Sequence, residues 1–197
     1  HTDLKENDVI FYFTTCGWMM WNWLVTSLSI GASIVLYDGN PFYPTNEFLL
    51  KLADKIPFNI FGTSAKYISS LENLDVVPQN VGKFSELKTI LSTGSPLIEE
   101  NFEFVYNKWK SDVQLSSISG GTDIISCFAL GNPILPVIKG ELQCRGLGMA
   151  VKAYNSDSKP VIDETGELVC TSPFPSMPIY FWNDPENIKY INAYFNQ

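Results

Sequence analysis

At 197 residues, with 45% hydrophobic and 17% charged side chains, the chain has the composition of a globular protein with room for one substantial core or two small ones, which excludes a disordered segment. A net charge of −8 argues against a nucleic-acid surface, which needs clustered Lys and Arg; a small anion held by backbone amides and a cation stays compatible with it. No apolar run reaches the roughly 18 residues of a membrane span, and Trp18 to Ile30 is too short.

Val9 to Thr14 is β-rich and apolar. Trp18 to Ile30, free of Pro and Gly, suits a buried helix that stops at Gly31. Ser33 to Tyr37 reads as a buried strand and Asp38-Gly39-Asn40-Pro41 as a turn. Asn46 is placed to cap a helix through Phe48, Leu49, Leu52 and Ala53. Phe58 to Phe61 reads as a strand, and Thr63 as the cap of a helix through Tyr67, Ile68 and Leu71. Leu87 to Leu91 is a further strand. Ser95-Pro96 then marks a helix start, with Glu99 and Glu100 near the positive end of the helix dipole and Leu97, Phe102, Val105 and Trp109 on its apolar side.

Strand and helix thus alternate about four times up to Gln114, the pattern of a doubly wound, mostly parallel α/β sheet with helices on both faces. Beyond Gly121 the runs become short and β-type, Ala150 to Tyr154 and Glu167 to Cys170 among them, with frequent prolines. The expectation is an α/β part over 1–126 and a smaller β-rich part over 127–197, both within one truncated domain.

Four cysteines, Cys16, Cys127, Cys144 and Cys170, show no C-x-x-C spacing, so reduced thiols and a cytoplasmic setting are expected. The sole histidine, His1, leaves no Ser-His-Asp or Cys-His apparatus and little material for a zinc site unless a further histidine lies outside this chain. The chain starts at His1 without a Met and ends at Tyr194-Phe195-Asn196-Gln197 without a stopping signal, so it reads as a segment of a longer protein.

In a doubly wound sheet, ligands bind outside the carboxyl ends of the strands. Two loops satisfy that rule: Ser92-Thr93-Gly94-Ser95-Pro96 and Ser117-Ile118-Ser119-Gly120-Gly121-Thr122-Asp123. In the second, two glycines permit close backbone approach, and a hydroxyl and a carboxylate follow side by side, suited to a phosphate oxygen and a metal ion. Either loop also reads as an ordinary strand-to-helix turn. The cluster Trp18, Met19, Met20, Trp21, Asn22, Trp23 is compatible with core packing and with the wall of an apolar pocket for a small organic group. Arg145-Gly146-Leu147-Gly148-Met149 lacks the third glycine of a dinucleotide fingerprint and leads into a strand, so it reads as structural. Lys66, Lys139 and Arg145 read as solitary cations, compatible with meeting an anionic ligand and with simple solvation, the commoner state of an isolated surface cation.

Several segments together resemble the acyl-adenylate-forming enzymes and, within them, the acyl-CoA synthetases: F-Y-F-T-T-C-G-W-M-M-W-N-W-L from Phe11, F-G-T-S-A-K-Y-I from Phe61, S-T-G-S-P-L from Ser92, S-I-S-G-G-T-D-I from Ser117, C-R-G-L-G-M-A-V from Cys144 and P-F-P-S-M-P from Pro173. They span nearly the whole chain in the expected order. The resemblance implies use of ATP, Mg²⁺ and coenzyme A, with acetoacetate as the acid. It places Gly94, Ser95 and Pro96 along the adenine, and Ser117, Ile118, Ser119 and Gly121 beside the nucleotide and acyl group. Thr122 is implied as the catalytic hydroxyl on the α-phosphate and Asp123 as the carboxylate that helps hold Mg²⁺, where most of the superfamily has Glu. Gly120 stands where similar acetate-activating enzymes close the acyl pocket with Trp, so glycine implies a longer acid, with Trp18, Met19, Met20 and Trp21 as a further wall.

The family's phosphate loop, its ribose-binding aspartate and its small C-terminal domain with the catalytic lysine are implied to lie outside this chain, which by itself is expected neither to catalyse nor to bind ATP tightly. Other readings are a ligase for another short keto, hydroxy or branched acid, and a non-catalytic nucleotide-binding module on the same scaffold. Partners other than small molecules, whether nucleic acid or membrane, are not expected, and the oligomeric state is left open.

Overall fold

A computed structural model describes residues 1–196. In chain order the elements are β1 (Val9–Tyr12), α1 (Met19–Thr26), β2 (Ser33–Val35), α2 (Phe48–Lys55), β3 (Ile60–Ser64), α3 (Ala65–Asn73), β4 (Thr89–Thr93), α4 (Glu99–Phe104), β5 (Gln114–Ser117), β6 (Ser119–Gly121), β7 (Ser126–Leu130), β8 (Cys144–Arg145), β9 (Val151–Tyr154), β10 (Pro160–Val161), β11 (Glu167–Cys170) and α5 (Ile188–Tyr194). The first five strands form one parallel sheet in the order β2-β1-β3-β4-β5. Two small antiparallel sheets follow, β6-β7-β8 and β10-β9-β11. The α/β sheet expected from the alternation is present, with helices on both faces.

The register explains the core. Phe11 pairs with Phe61, Phe61 with Ile90 and Ile90 with Leu115, so one face carries an unbroken apolar row across four strands. That row packs with Leu49 and Leu50 of α2, Ile68 and Leu71 of α3, and Phe102 of α4. Phe61 sits at its aromatic centre, with ring centroids 5.3 Å from Phe11, 6.2 Å from Phe58 and 5.4 Å from Trp109. The opposite face presents Ile10, Tyr12, Ile60 and Leu91, covered by Met19, Met20 and Leu24 of α1. Strands sealed on both sides require near-continuous apolar runs, which β1, β3 and β4 supply.

Several local expectations need correction. The stretch from Ser33 is an edge strand of three residues, with Ser33 exposed and Leu36 61% exposed, because among the described residues it pairs with β1 alone. Asn46 does not cap α2. Glu47 holds that position without a side-chain bond, and the Phe48 amide is satisfied by the Thr45 carbonyl at 3.0 Å. At α3 the cap is Ser64, whose Oγ accepts from the Tyr67 amide at 3.2 Å. Thr63 is instead drawn into β3 by pairing with Ser92, and β4 shifts two residues toward the same end. The helix after Ser95-Pro96 starts only at Glu99, and Val105–Trp109 continue it in π-type winding.

Ser119–Gly121, expected as loop, forms β6 and pairs antiparallel with β7, so antiparallel pairing begins ahead of residue 127. Helix α5 has no counterpart in the sequence reading. Its rings gather as Phe181, Tyr190, Tyr194 and Phe195, while Ile179 and Trp182 stand largely exposed nearby. Among the described residues, no helix is long and apolar enough to cross a membrane.

Candidate functional site at the carboxyl ends of the parallel strands

Three connections meet where the parallel strands end: Phe13–Trp18 after β1, Gly94–Pro96 after β4, and Ile118–Asp123 after β5. Because β4 and β5 are neighbours, the second and third run side by side. They are also bonded together: the Ile118 amide donates to the Ser92 carbonyl and the Thr93 hydroxyl donates to the Ile118 carbonyl, both at 2.9 Å. Ile118, buried, is thereby clamped at the point where the chain leaves the parallel sheet for β6.

Gly94 has φ +88, a left-handed conformation that strains any residue with a side chain. The Trp18 ring lies over it, 3.6 Å from where a Cβ would stand, and meets Tyr12 edge-on at 6.0 Å. Gly94, Ser95 and Pro96 are exposed, as are Gly120, Thr122 and Asp123, whereas Ser117, Ser119 and Gly121 are half-buried. The result is an open ledge of backbone and small polar groups, edged by one tryptophan.

The acidic end of the ledge is partly occupied by the chain itself. Asp123 accepts a 2.5 Å hydrogen bond from the Tyr194 hydroxyl on Oδ2, while Oδ1 turns back over Gly121. Desolvation, and then the adjoining Asp123 carboxylate, push the Tyr194 hydroxyl up to about 12. No cluster of three or more His, Cys, Asp or Glu that could hold a metal exists among the described residues. A single exposed carboxylate nevertheless fits Mg²⁺, an ion commonly bound by one or two carboxylates together with substrate phosphates.

Gly120 has a packing role of its own. A Cβ there would stand 2.4 Å from the Ser126 carbonyl oxygen and 2.8 Å from Cys127 Cα, so glycine is what lets β6 approach β7 at the bulge. The tryptophan–methionine cluster divides: Trp18 edges the ledge, Met20 is buried under the sheet, Trp21 is half-buried, and Met19 faces a cavity.

That cavity, about 220 Å³, lies between α1 and β7, so the cluster supplies both core packing and, through Met19, Asn22 and Trp23, a pocket wall. Asn22 and Trp23 of α1 line it, with Ser126 and Cys127 of β7, and Gly146 and Leu147 close one side. His1 stands at its edge, Nδ1 on the Gly131 carbonyl at 2.8 Å and Nε2 accepting from the Leu147 amide at 3.2 Å. Burial pushes the Cys127 thiol up to about 12, so it stays protonated and unreactive near neutrality. The β7 side of the cavity, Ser126 and Cys127, carried no signal in the sequence. A second hollow, about 690 Å³, lies between β11 and α5 and includes Asp123, Tyr190 and Tyr194.

The supposedly solitary cations also differ. Lys139 bridges Glu99 at 3.3 Å and Glu103 at 2.8 Å, and Arg145 reaches the Val151 carbonyl at 3.4 Å, while Lys66 is exposed. All four cysteines are free thiols.

No protein-family model matches the chain. Individual proteins do, along its whole length. It is 54% identical over 197 residues to an acetoacetyl-coenzyme A synthetase of Rhizobium meliloti and 53% identical to the acetoacetyl-CoA synthetase of Gallus gallus. Among solved structures, acetoacetyl-CoA synthetase from Streptomyces lividans superposes over 100% of the chain and 31% of its own, with a TM-score of 0.93 and 42% identity. The anthranilate CoA ligase AuaEII, 20% identical over 84% of the chain and 31% of its own with a TM-score of 0.71, shares the fold. The chain spans about 30% of the length of the curated relatives it matches. Over that stretch, along its whole length, it is similar to acetoacetyl-CoA synthetases.

Proposed function

We propose that this chain forms one side of the active site of an ATP-dependent ligase that joins acetoacetate to coenzyme A. The observation that carries the reading is the similarity to acetoacetyl-CoA synthetases along the whole chain, with the residues assigned to the nucleotide and metal, Gly94 to Pro96 and Ser117 to Asp123, at the carboxyl ends of β4 and β5. An acetoacetate carboxylate oxygen attacks the α-phosphorus of ATP, the bond to pyrophosphate breaks, and acetoacetyl-AMP forms. The CoA thiol then gives up its proton and attacks the acyl carbon, yielding acetoacetyl-CoA and AMP.

In this reading the exposed backbone of Gly94, Ser95 and Pro96 lies along the adenine. Ser117, Ile118, Ser119 and Gly121 flank the nucleotide, and the bonds that clamp Ile118 to β4 hold that edge still. The Thr122 hydroxyl donates to an α-phosphate oxygen as charge develops there, which is where preorganised donors count most. Asp123 takes a share of Mg²⁺, which when bound offsets phosphate charge. Trp18, Met19, Met20, Trp21 and Gly120 border the acid. Residues 1–126 carry these groups and 127–197, of which Gln197 lies outside the described residues, supply the β-rich remainder. The free thiols support a reducing, cytoplasmic setting.

Acid-dependent pyrophosphate exchange tests this in the complete enzyme that contains the chain. Acetoacetate should outpace acetate, butyrate and 3-hydroxybutyrate, and Thr122→Ala should slow exchange by about 100-fold. Exchange independent of any short acid would overturn the reading. Gly120→Trp is no clean test of pocket size, because its Cβ already strikes the Ser126 backbone.

A further inference from the structure

We propose that Tyr194 is a positioning residue for the metal end of the site: by donating to Asp123 Oδ2, its hydroxyl aims the Asp123 carboxylate at a divalent cation carried on nucleotide phosphates. This rests on the ligase reading above for the ligand, and adds the group that orients the carboxylate.

An exposed aspartate is usually free to turn, and ordering such a side chain on a ligand costs affinity. Asp123 is exposed but is held on both sides. Oδ2 accepts from the Tyr194 hydroxyl at 2.5 Å. Oδ1 stands only 2.4 Å from where a Gly121 Cβ would be, so the missing side chain is what leaves it room. Oδ1 has no hydrogen-bond donor among the described residues and is the oxygen left for a cation. A hydroxyl bonded to an ionised carboxylate makes a stronger bond than one between neutral groups, and such bonds fix the orientation of metal-binding carboxylates.

Tyr194 is itself a fixed arm. Its ring meets those of Phe181 at 5.6 Å, Tyr190 at 5.3 Å and Phe195 at 6.4 Å, all edge-on. Helix α5 is anchored independently of the Tyr194 hydroxyl: Tyr190 donates its hydroxyl to the Pro178 carbonyl and its amide to Oδ2 of the buried Asp184 at 2.9 Å. The Tyr194–Asp123 bond joins groups 71 positions apart and, among the described residues, is the only side-chain hydrogen bond between α5 and the ledge. With the helix already secured, the distinct effect of that hydroxyl falls on Asp123.

The test uses the complete enzyme that contains the chain, with Mn²⁺ in place of Mg²⁺ and no acid present, so that ATP is not consumed. Water-proton relaxation during titration with Mn·ATP reads metal immobilised on the protein, and metal-free ATP is titrated alongside. Tyr194→Phe removes one oxygen and keeps the ring contacts. It should weaken Mn·ATP about tenfold, the low end for a lost partner behind a metal ligand, and leave metal-free ATP binding as in the unaltered enzyme. Asp123→Asn should also weaken Mn·ATP, and adding Tyr194→Phe to it should cost nothing further, because the two groups act as one unit. Additive losses in the double variant, or an equal loss for metal-free ATP, would reduce Tyr194 to a structural role and overturn the proposal. Unchanged or tighter Mn·ATP binding in Tyr194→Phe overturns it too, the tighter case meaning that the hydroxyl masks the carboxylate. An unaltered enzyme that binds no Mn·ATP overturns it together with the ligase reading. Failure of the ligase reading alone shows as absent pyrophosphate exchange while Mn·ATP binding still depends on Tyr194.

Discussion

Under α2, α3 and α4 the parallel sheet is sealed by aromatic rings in register, whereas under α1 the packing thins to methionine sulfur, a lone carboxamide and a 220 Å³ cavity. Both faces belong to the same five strands, and both are apolar at their centres. The first is close-packed with stiff rings that keep the strands in place. The second uses Met19 and Met20, flexible side chains that fill irregular space and tolerate change. Every candidate ligand group on the ledge stands where one or the other face reaches the carboxyl ends of the strands. A rigid face supports the site, and an adaptable face shapes it.

The largest expected effect lies on the rigid face. Phe61→Ala removes a fully buried ring packed against four others and should cost about 3–5 kcal/mol, read from the urea unfolding midpoint. A loss below about 1 kcal/mol would mean that the apolar row does not hold this face together. Gly120→Ala acts where the chain crosses to the small sheet. Its Cβ meets backbone atoms that cannot swing aside, so about 1–3 kcal/mol should be lost, with amide shifts confined to β6 and β7. A neutral outcome would show that the bulge gives way freely.

The smallest effect near neutral pH concerns Cys127 on the adaptable face. Its thiol stays protonated in the folded chain up to about 12, against an ordinary value of 9.0, so the folded state binds that proton more tightly than the unfolded state does. Stability should therefore be unaffected by this group below pH 9 and should fall as pH rises from there toward 12, in the same direction as burial drives Tyr12 and Tyr67. Alkylation at pH 8 should modify exposed Cys16 and spare Cys127. Rapid labelling of Cys127 would mean that the α1 face opens readily.

Much of the fold was legible in the residues, and the reasons are local. Apolar runs of strand length alternate with helical spacing, and Gly31 and the acidic pair Glu99–Glu100 mark helix ends as their chemistry demands. The failures fall at element boundaries, where a long-range partner outvoted local preference. Thr63 would make a good cap, yet pairing with Ser92 keeps it in β3 and hands the capping to Ser64. Ser119–Gly121 has turn chemistry, yet β7 recruits it as a strand. Of the site, the ledge was readable because Gly94 and the 117–123 stretch follow strands directly. The Tyr194 contact on Asp123 was not, since α5 is polar and aromatic in no diagnostic pattern.

By itself the sequence determined the order of strands and helices, the two loops that follow β4 and β5 and, through its motifs, the likeness to acyl-CoA synthetases. Those properties depend on neighbours a few residues apart, or on direct likeness to other chains. Tertiary structure alone decided that Gly120 is needed for strand approach, that His1 is committed to two backbone partners, and that Asn22 and Ser126 face one cavity. Each of these is a meeting of residues far apart along the chain, set by which strands lie side by side and by the turn into the second sheet, and no local pattern of residues encodes it.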